Sequence, residues 1–368
     1  MTPVEQFKVG NIDPDTSAYL INIHGGHGPR QKIRRAFGDD GHDTIRDMTR
    51  ASLNVHIIPA KIGHNTADSQ SYQGVFDEEG IGELTLKGVE WACWNTPNRY
   101  GEIITILKHD DDPKLPSAMS VASNVWREKL ESSKPGPEEL IDFLSKHLSK
   151  NLAGNFLFYQ PHMVFADKDP VFGLAMKILS RMHKVFPYEA NISDHLNNPC
   201  VEKLFEAGED FNGQLSGIIN WKSVQKINNE FPHLARMGGS DSHTIEDIDL
   251  AGTLIPIKGP LTREKVFEAV QKQRTARISG IGERSLTRYP LIRAAFNSFF
   301  PNSRYWPVFE KWMTPKPCAV YETAQKAIEK WGRTLFTPEM QKQGWVYLDK
   351  NGQPQLAGDH FNRHQSLQ

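Results

Sequence analysis

The segment Met237-Gly238-Gly239-Ser240-Asp241-Ser242-His243 sets a carboxylate and an imidazole two residues apart, just beyond a glycine pair. In an extended chain residues i and i+2 project to one side, so Asp241 and His243 would face a common point. An oxygen and a nitrogen donor so placed make half of a metal site. A competing structural reading has Ser240 or Asp241 capping a helix that begins near Thr244. Ile23-His24-Gly25-Gly26-His27-Gly28 supplies two more imidazoles, among glycines that let backbone approach a ligand closely. Asp39-Asp40-Gly41, Lys61-Ile62-Gly63-His64, Gly88-Val89-Glu90 and Gln160-Pro161-His162 each add a His or an acid where an apolar run ends, or inside one. A carboxylate within an apolar run, such as Glu90, needs a partner. Cys93, Cys200 and Cys318 are widely separated and form no CxxC pair, which argues against a thiolate zinc knuckle or a disulfide framework. Imidazoles and carboxylates suit Zn²⁺, Mn²⁺ or Fe²⁺. Such ions can polarise ester oxygens and ionise a bound water near neutral pH.

Positioning those residues calls for strands that end on one face. Tyr19–Ile23, Leu53–Pro59, Leu86–Cys93, Glu102–Leu107 and Asn155–Tyr159 are short and apolar and lack strict alternation, as parallel strands buried on both faces do. Thr44–Ala51, Pro137–Lys150, Val171–Val185 and Thr262–Gln273 carry helical spacing. In Pro137–Lys150, Leu140, Ile141, Leu144 and Leu148 share a face. The alternation predicts an α/β architecture, and the continuity of the pattern favours a barrel, whose strand ends form the catalytic face. After about Gly280 the texture changes to an aromatic and basic stretch, with a further helix over Tyr321–Leu335.

The order of these motifs resembles the polymerase and histidinol phosphatase (PHP) superfamily of metal-dependent phosphoesterases. Gly239-Ser240-Asp241-Ser242-His243 is similar to that family's closing Gly-Ser-Asp-Ala-His signature. Asp39-Asp40-Gly41 through His64-Asn65-Thr66, Gly88-Val89-Glu90, and Leu261-Thr262 through Gly280 follow in family order. The resemblance covers roughly residues 17 to 281. It implies a distorted TIM-like (βα)7 barrel over 1–281, with a mainly helical extension over 282–368. The metal ligands it implies are His24, Asp40, His64, Glu90, His162, Asp241 and His243, holding one to three divalent ions. Asp241, Glu90 and His243 would be central to catalysis. Beyond a longer segment between His27 and Asp40 and Gly63 in place of the acid of Thr-Asp-His, two of the family's ligand positions lack their usual residue. Gly26 occupies the second position of the opening His-x-His, which His27 fills only if the loop bulges. Ile104 or Thr105 stands where a further His is usual, with His109 as a distant substitute. The implied reaction is hydrolysis of a phosphomonoester or phosphodiester of a small molecule or nucleotide. Arg34, Arg35, Lys61, Arg99 and Arg236 are candidate phosphate contacts, each with a solvated surface charge as the competing reading. An amidohydrolase-like reaction on the same fold, or a binding protein with a degenerate site, are the alternatives.

Composition narrows the field. The chain has 368 residues, 43 basic and 44 acidic, for a formal net charge of −1. That balance does not favour nucleic-acid binding. No apolar stretch is long enough to span a bilayer, and the first residues lack the pattern of a secretory signal. A cytoplasmic protein, forming a homo-oligomer or not, is the expectation. Fourteen histidines are unusually many, and about half of them fall at candidate ligand positions.

Overall fold

The computed structural model describes residues 4–26, 42–64, 73–96, 99–109, 114–164, 193–242, 245–282, 320–359 and 361. Within them lie twelve strands: β1 (Lys8–Asp13), β2 (Thr16–Ile21), β3 (Ala60–His64), β4 (Leu86–Thr96), β5 (Arg99–Leu107), β6 (Phe156–Gln160), β7 (Phe205–Asn212), β8 (Ala235–Gly239), β9 (Ala251–Lys258), β10 (Ala276–Ser279), β11 (Val346–Leu348) and β12 (Pro354–Leu356). They form two curled half-barrel sheets, ordered β1-β2-β9-β10-β11-β12 and β3-β4-β5-β6-β7-β8. Among the described residues, the helices of nine or more residues are α1 (His42–Asn54), α2 (Lys114–Ser133), α3 (Pro137–His147), α4 (Gly217–Glu230), α5 (Arg263–Gln271) and α6 (Val320–Trp331).

One apolar core is shared by both sheets. Tyr19, Ile21 and Ile255 from the first sheet pack with Ile62, Ile104, Ile106, Leu157, Ala207, Ala235 and Met237 from the second. On the outer side, Val89, Trp91 and Ile103 pack with Trp126, Leu140, Phe143 and Leu144. Successive side chains of a strand point to opposite faces, so Glu90 and Ile104, which are paired in register, face inward with the shared core while Trp91 and Ile103 face α2 and α3. Pro137 in the first turn of α3, with Glu138 and Glu139 beside it and Lys146 and His147 in the last turn, suits the helix dipole at both ends. Thr262 caps α5 by accepting from the Lys265 amide.

Two sequence expectations change. The segment Leu53–Pro59 is not a strand: α1 runs through Asn54, Ile58 makes only an isolated bridge to Ile21, and the strand starts at Ala60. The second sheet is not all parallel, because β5 runs antiparallel to both β4 and β6. The C-terminal extension carries two strands beside its helices: β11 pairs with β10 and β12 with β11, so its described part shares a sheet with residues before 281. The helix expected over Tyr321–Leu335 is α6, followed by a 3-10 turn over Gly332–Phe336. The helix expected over Val171–Val185 lies outside the described residues. No described helix is long and apolar enough to cross a membrane.

Candidate metal centre

The C-terminal ends of β2, β6, β7 and β8 meet the inward face of β4 and β5, and their side chains converge. Past the end of β2, His24 is completely buried. Its Nδ1 lies 2.8 Å from Glu209 Oε1, while its Nε2 lies 3.8 Å from Glu90 Oε1 and 3.7 Å from Asp241 Oδ1. Past the end of β6, His162 repeats the arrangement. Its Nδ1 stands 3.3 Å from Glu209 Oε2, and its Nε2 faces Glu90 Oε1 at 3.9 Å and Asp241 Oδ2 at 3.7 Å. The two rings are 5.1 Å apart between centroids.

Glu209, on β7, ties the pair together. Besides the two imidazoles, its Oε1 accepts from the Tyr159 hydroxyl at 3.0 Å. Its Oε2 accepts from the His162 amide at 3.1 Å and from Asn212 Nδ2 at 2.9 Å. Asn212 is itself fixed, because its Oδ1 accepts from the Gln214 amide and its backbone exchanges two hydrogen bonds with the Asn220 side chain. An Nδ1–H held by a carboxylate leaves the Nε2 lone pair of the same ring directed elsewhere, the usual orientation of a metal-binding imidazole. Here both Nε2 atoms point to Glu90 and Asp241.

Burial alone would lower the pKa of either imidazole. The charges and hydrogen bonds of Glu209 and Asp241 outweigh it and raise His24 to about 9 and His162 to about 10. For Glu209 burial acts upward, but the two imidazoles hold the carboxyl well below the usual range. Across the site on β5, burial and the nearby Glu90 push Glu102 up to about 8. Metal-free, the cluster keeps its anions in place with protons on the imidazoles, and a cation would take over that role.

The loops are built to hold this geometry. His162 and Asp241 adopt left-handed backbone, at φ 47° and 50°, which for non-glycine residues costs about 1–3 kcal/mol each. The Asp241 amide donates to the His24 carbonyl at 2.8 Å, and Asn22 and Ser240 exchange two hydrogen bonds. At Gly239 a Cβ would lie 2.5 Å from His24 Cβ and run into Glu209 Oε1. Gly239→Ala is therefore expected to cost about 1–3 kcal/mol through overpacking and to weaken metal uptake by separating His24 from Glu209. Thermal melts and metal titration would show both effects; a wild-type result in both would contradict the packing described.

The donor set fits a divalent transition metal. Donors bound to one ion at about 2.1 Å stand about 3.0–3.5 Å apart, a few tenths of an ångström closer than the spacings found here. His24, His162 and Glu209, and separately Glu90, Glu102 and His162, bring ligand atoms within 4.8 Å of one another.

Of the residues singled out in the sequence, the structure brings His24, Glu90, His162 and Asp241 together. His64 closes β3 in register with Glu90, but its side chain, like that of Arg99, lies outside the described residues. His27, Arg34, Arg35, Asp40 and His243 also lie outside them. Lys61 is buried and lines a small cavity with Asn22, Gly26 and Ser242, beside the loops that carry His24 and Asp241. Arg236 is elsewhere: it is buried and donates to the Gln341 carbonyl. The strand direction takes His109 away from the site, because Leu107 pairs with Phe156 at the start of β6 whereas the site is at the end of β6. Thr105 accepts from the Trp91 indole, and Ile104 is core. His195 packs on Phe205. Glu209, Glu102, Asn212 and Tyr159 were not anticipated.

No protein-family model matches the chain, and no curated protein matches it. Among solved structures, PsfC from Pseudomonas syringae PB-5123 is 14% identical, with 77% of this chain and 97% of that one covered at a TM-score of 0.40. A protein from Bifidobacterium adolescentis described as a candidate metal-dependent phosphoesterase is 11% identical, with 69% and 95% covered at 0.35. An amidohydrolase from Chromobacterium violaceum is 14% identical, with 70% and 97% covered at 0.36. Likeness this loose carries no function. What the side chains themselves define is a mixed α/β protein with a buried imidazole–carboxylate centre at its strand ends.

Proposed function

We propose that the chain is a metal-dependent hydrolase acting on a phosphoester of a small molecule or nucleotide. One observation carries the reading: Glu209 engages Nδ1 of both His24 and His162, while their Nε2 atoms converge on Glu90 and Asp241. A structural cluster has no need to orient two buried imidazoles alike toward two further carboxylates. His24, His162, Glu90 and Asp241 would hold the ion. His27, Asp40, His64 and His243 are further ligands in this proposal, one to three ions in all. A bound divalent cation would supply Lewis acidity toward the ester and lower the pKa of a water at the site.

The chain's own residues do the rest. Glu209 would orient both imidazoles, and the Asn22–Ser240 exchange holds the two loops that carry His24 and Asp241 against each other. Lys61, Arg34, Arg35 and Arg99 are proposed as the cations that would neutralise a phosphate, and such cations would favour an anionic ester over a neutral amide. Arg236 is not part of the proposal, since it serves the C-terminal segment.

The test is metal content of protein purified without chelators, with a phosphomonoester and phosphodiester panel under Mn²⁺ or Zn²⁺. Bound metal and turnover are expected. Outer partners of a metal site are alone worth about 10- to 100-fold, so Asp241→Ala, which removes a ligand, is expected to lower activity by more than about 100-fold. Protein that neither contains nor takes up metal would sink the reading.

A further inference from the structure

We propose that Glu102 is a metal ligand, and that it tilts this centre toward Mn²⁺ or Fe²⁺ over Zn²⁺. The inference rests on the reading of the site as a metal centre and goes beyond it to which metal the site prefers. Glu102 Oε2 lies 3.8 Å from His162 Nε2, the same nitrogen that faces Glu90 at 3.9 Å and Asp241 at 3.7 Å. Three carboxylates thus surround one imidazole nitrogen at nearly equal range. The β4–β5 register explains why. Glu90 pairs with Ile104 and Ala92 with Glu102, so Glu102 shares the inward face of Glu90 two pairs nearer the turn. Opposite Glu90 itself the chain supplies only the apolar Ile104, so on this strand the donor comes from Glu102.

A plain ion pair between Glu102 and His162 is the competing account. It leaves Glu102 close to Glu90 and Asp241 in a largely buried site, where like charges disfavour one another. The two imidazoliums of His24 and His162 cannot offset the four carboxylates of Glu90, Glu102, Glu209 and Asp241, whereas a divalent cation among them can. The resulting donors are two imidazole nitrogens and three carboxylates. Zinc sites favour four ligands in a tetrahedron with nitrogen or sulfur prominent. Carboxylate-rich sets of higher coordination suit Mn²⁺, and two imidazoles with carboxylate suit Fe²⁺. Raw affinity still follows the general order in which zinc exceeds manganese, so the signature is the ratio of the two affinities and how it responds to position 102.

Mn²⁺ and Zn²⁺ affinities would be measured by calorimetric titration of the full chain, together with the Mn²⁺ electron paramagnetic resonance spectrum, for wild type, Glu102→Gln and Glu102→His. Glu102→Gln is expected to weaken Mn²⁺ by about tenfold or more, to weaken Zn²⁺ less, and to change the Mn²⁺ spectrum. Glu102→His is expected to raise the Zn²⁺-to-Mn²⁺ affinity ratio. If wild type binds metal and Glu102→Gln binds Mn²⁺ equally well with an unchanged spectrum, Glu102 is not a ligand and the hydrolase reading stands. If wild type binds neither metal, that reading falls first. Should Glu102→Gln fail to fold, Glu102→Asp keeps the charge but withdraws the oxygen by one methylene; unchanged Mn²⁺ affinity there also overturns the proposal.

Discussion

Glu209→Gln is expected to lower metal affinity by about 10- to 100-fold, the range measured when the outer carboxylate of a metal-binding imidazole is removed. The side chain sits at the junction of His24, His162, Tyr159 and Asn212. A glutamine oxygen can accept from only some of these donors, and its amide nitrogen would present hydrogens to others, so at least one imidazole turns or changes tautomer. The same variant should alter how the metal-free protein responds to pH. With His24 and His162 raised to about 9 and about 10, their contribution to stability is fully present below the ordinary imidazole value of 6.5 and is lost as pH rises through those raised values. Wild type stripped of metal should therefore melt at falling temperature from about pH 6.5 upward, and Glu209→Gln should show a much weaker fall. With metal bound the trend reverses, because protons and metal compete for the same nitrogens. A chelated wild type whose melting temperature is flat between pH 6 and 10, or a variant with unchanged metal affinity, would refute this account of Glu209.

Part of this site is legible in the sequence. His24, Glu90, His162 and Asp241 stand out because imidazoles and acids recur where apolar runs end, and the structure brings those four together. Glu209 is hidden by its neighbour. Gly208-Glu209-Asp210 reads as a polar break between Ala207 and Phe211, yet both acids are buried. Alternation sets Glu209 on the inner face with Ala207 and Asp210 on the outer face toward Arg277, and the register shift between Glu209 and Phe211 brings Asn212 back to the side of Glu209. No local pattern encodes that shift, although an acid within a run closed by Asn212 and Gly213 was a usable signal. Glu102 was missed for another reason. Only Pro97 and Asn98 separate β4 from β5, and a two-residue connection permits only antiparallel strands. The pairing of Ala92 with Glu102, and the exclusion of His109, follow from that turn. Strand alternation likewise decides Arg236: Ala235 and Met237 point into the core, so Arg236 points away from it.

Arg277→Met is expected to destabilise the protein by about 3–5 kcal/mol, the usual result of leaving a buried charge without its partner. Arg277 on β10 is almost fully buried, its Nε 2.9 Å from Asp210 Oδ1, and its guanidinium donates to the Gln341 carbonyl at 2.6 Å. Arg236 donates to the same carbonyl at 2.8 Å. Two strands of the barrel thus grip one carbonyl of the C-terminal segment, with Asp210 offsetting the charge. Burial pushes Asp210 up to about 6, and the guanidiniums of Arg277 and Arg236 are what keep it from rising further. In Arg277→Met the larger part of that restraint is lost and the carboxyl rises. A carboxyl raised in the folded state favours folding as it takes up its proton, so the variant should regain stability as pH falls toward the ordinary carboxylate value. Replacing both partners, Asp210→Leu with Arg277→Met, removes the uncompensated charge and is expected to recover most of the loss, as apolar replacements of buried pairs often do. Metal affinity should change little in the double variant, because Glu209 keeps His24, His162, Tyr159 and Asn212. Denaturant melts of the two singles and the double, with a metal titration of each, decide the matter. If Arg277→Met costs less than about 1 kcal/mol, the buried network is not what fastens the C-terminal segment to the barrel. If the double variant also loses metal, the back of β7 takes part in positioning Glu209.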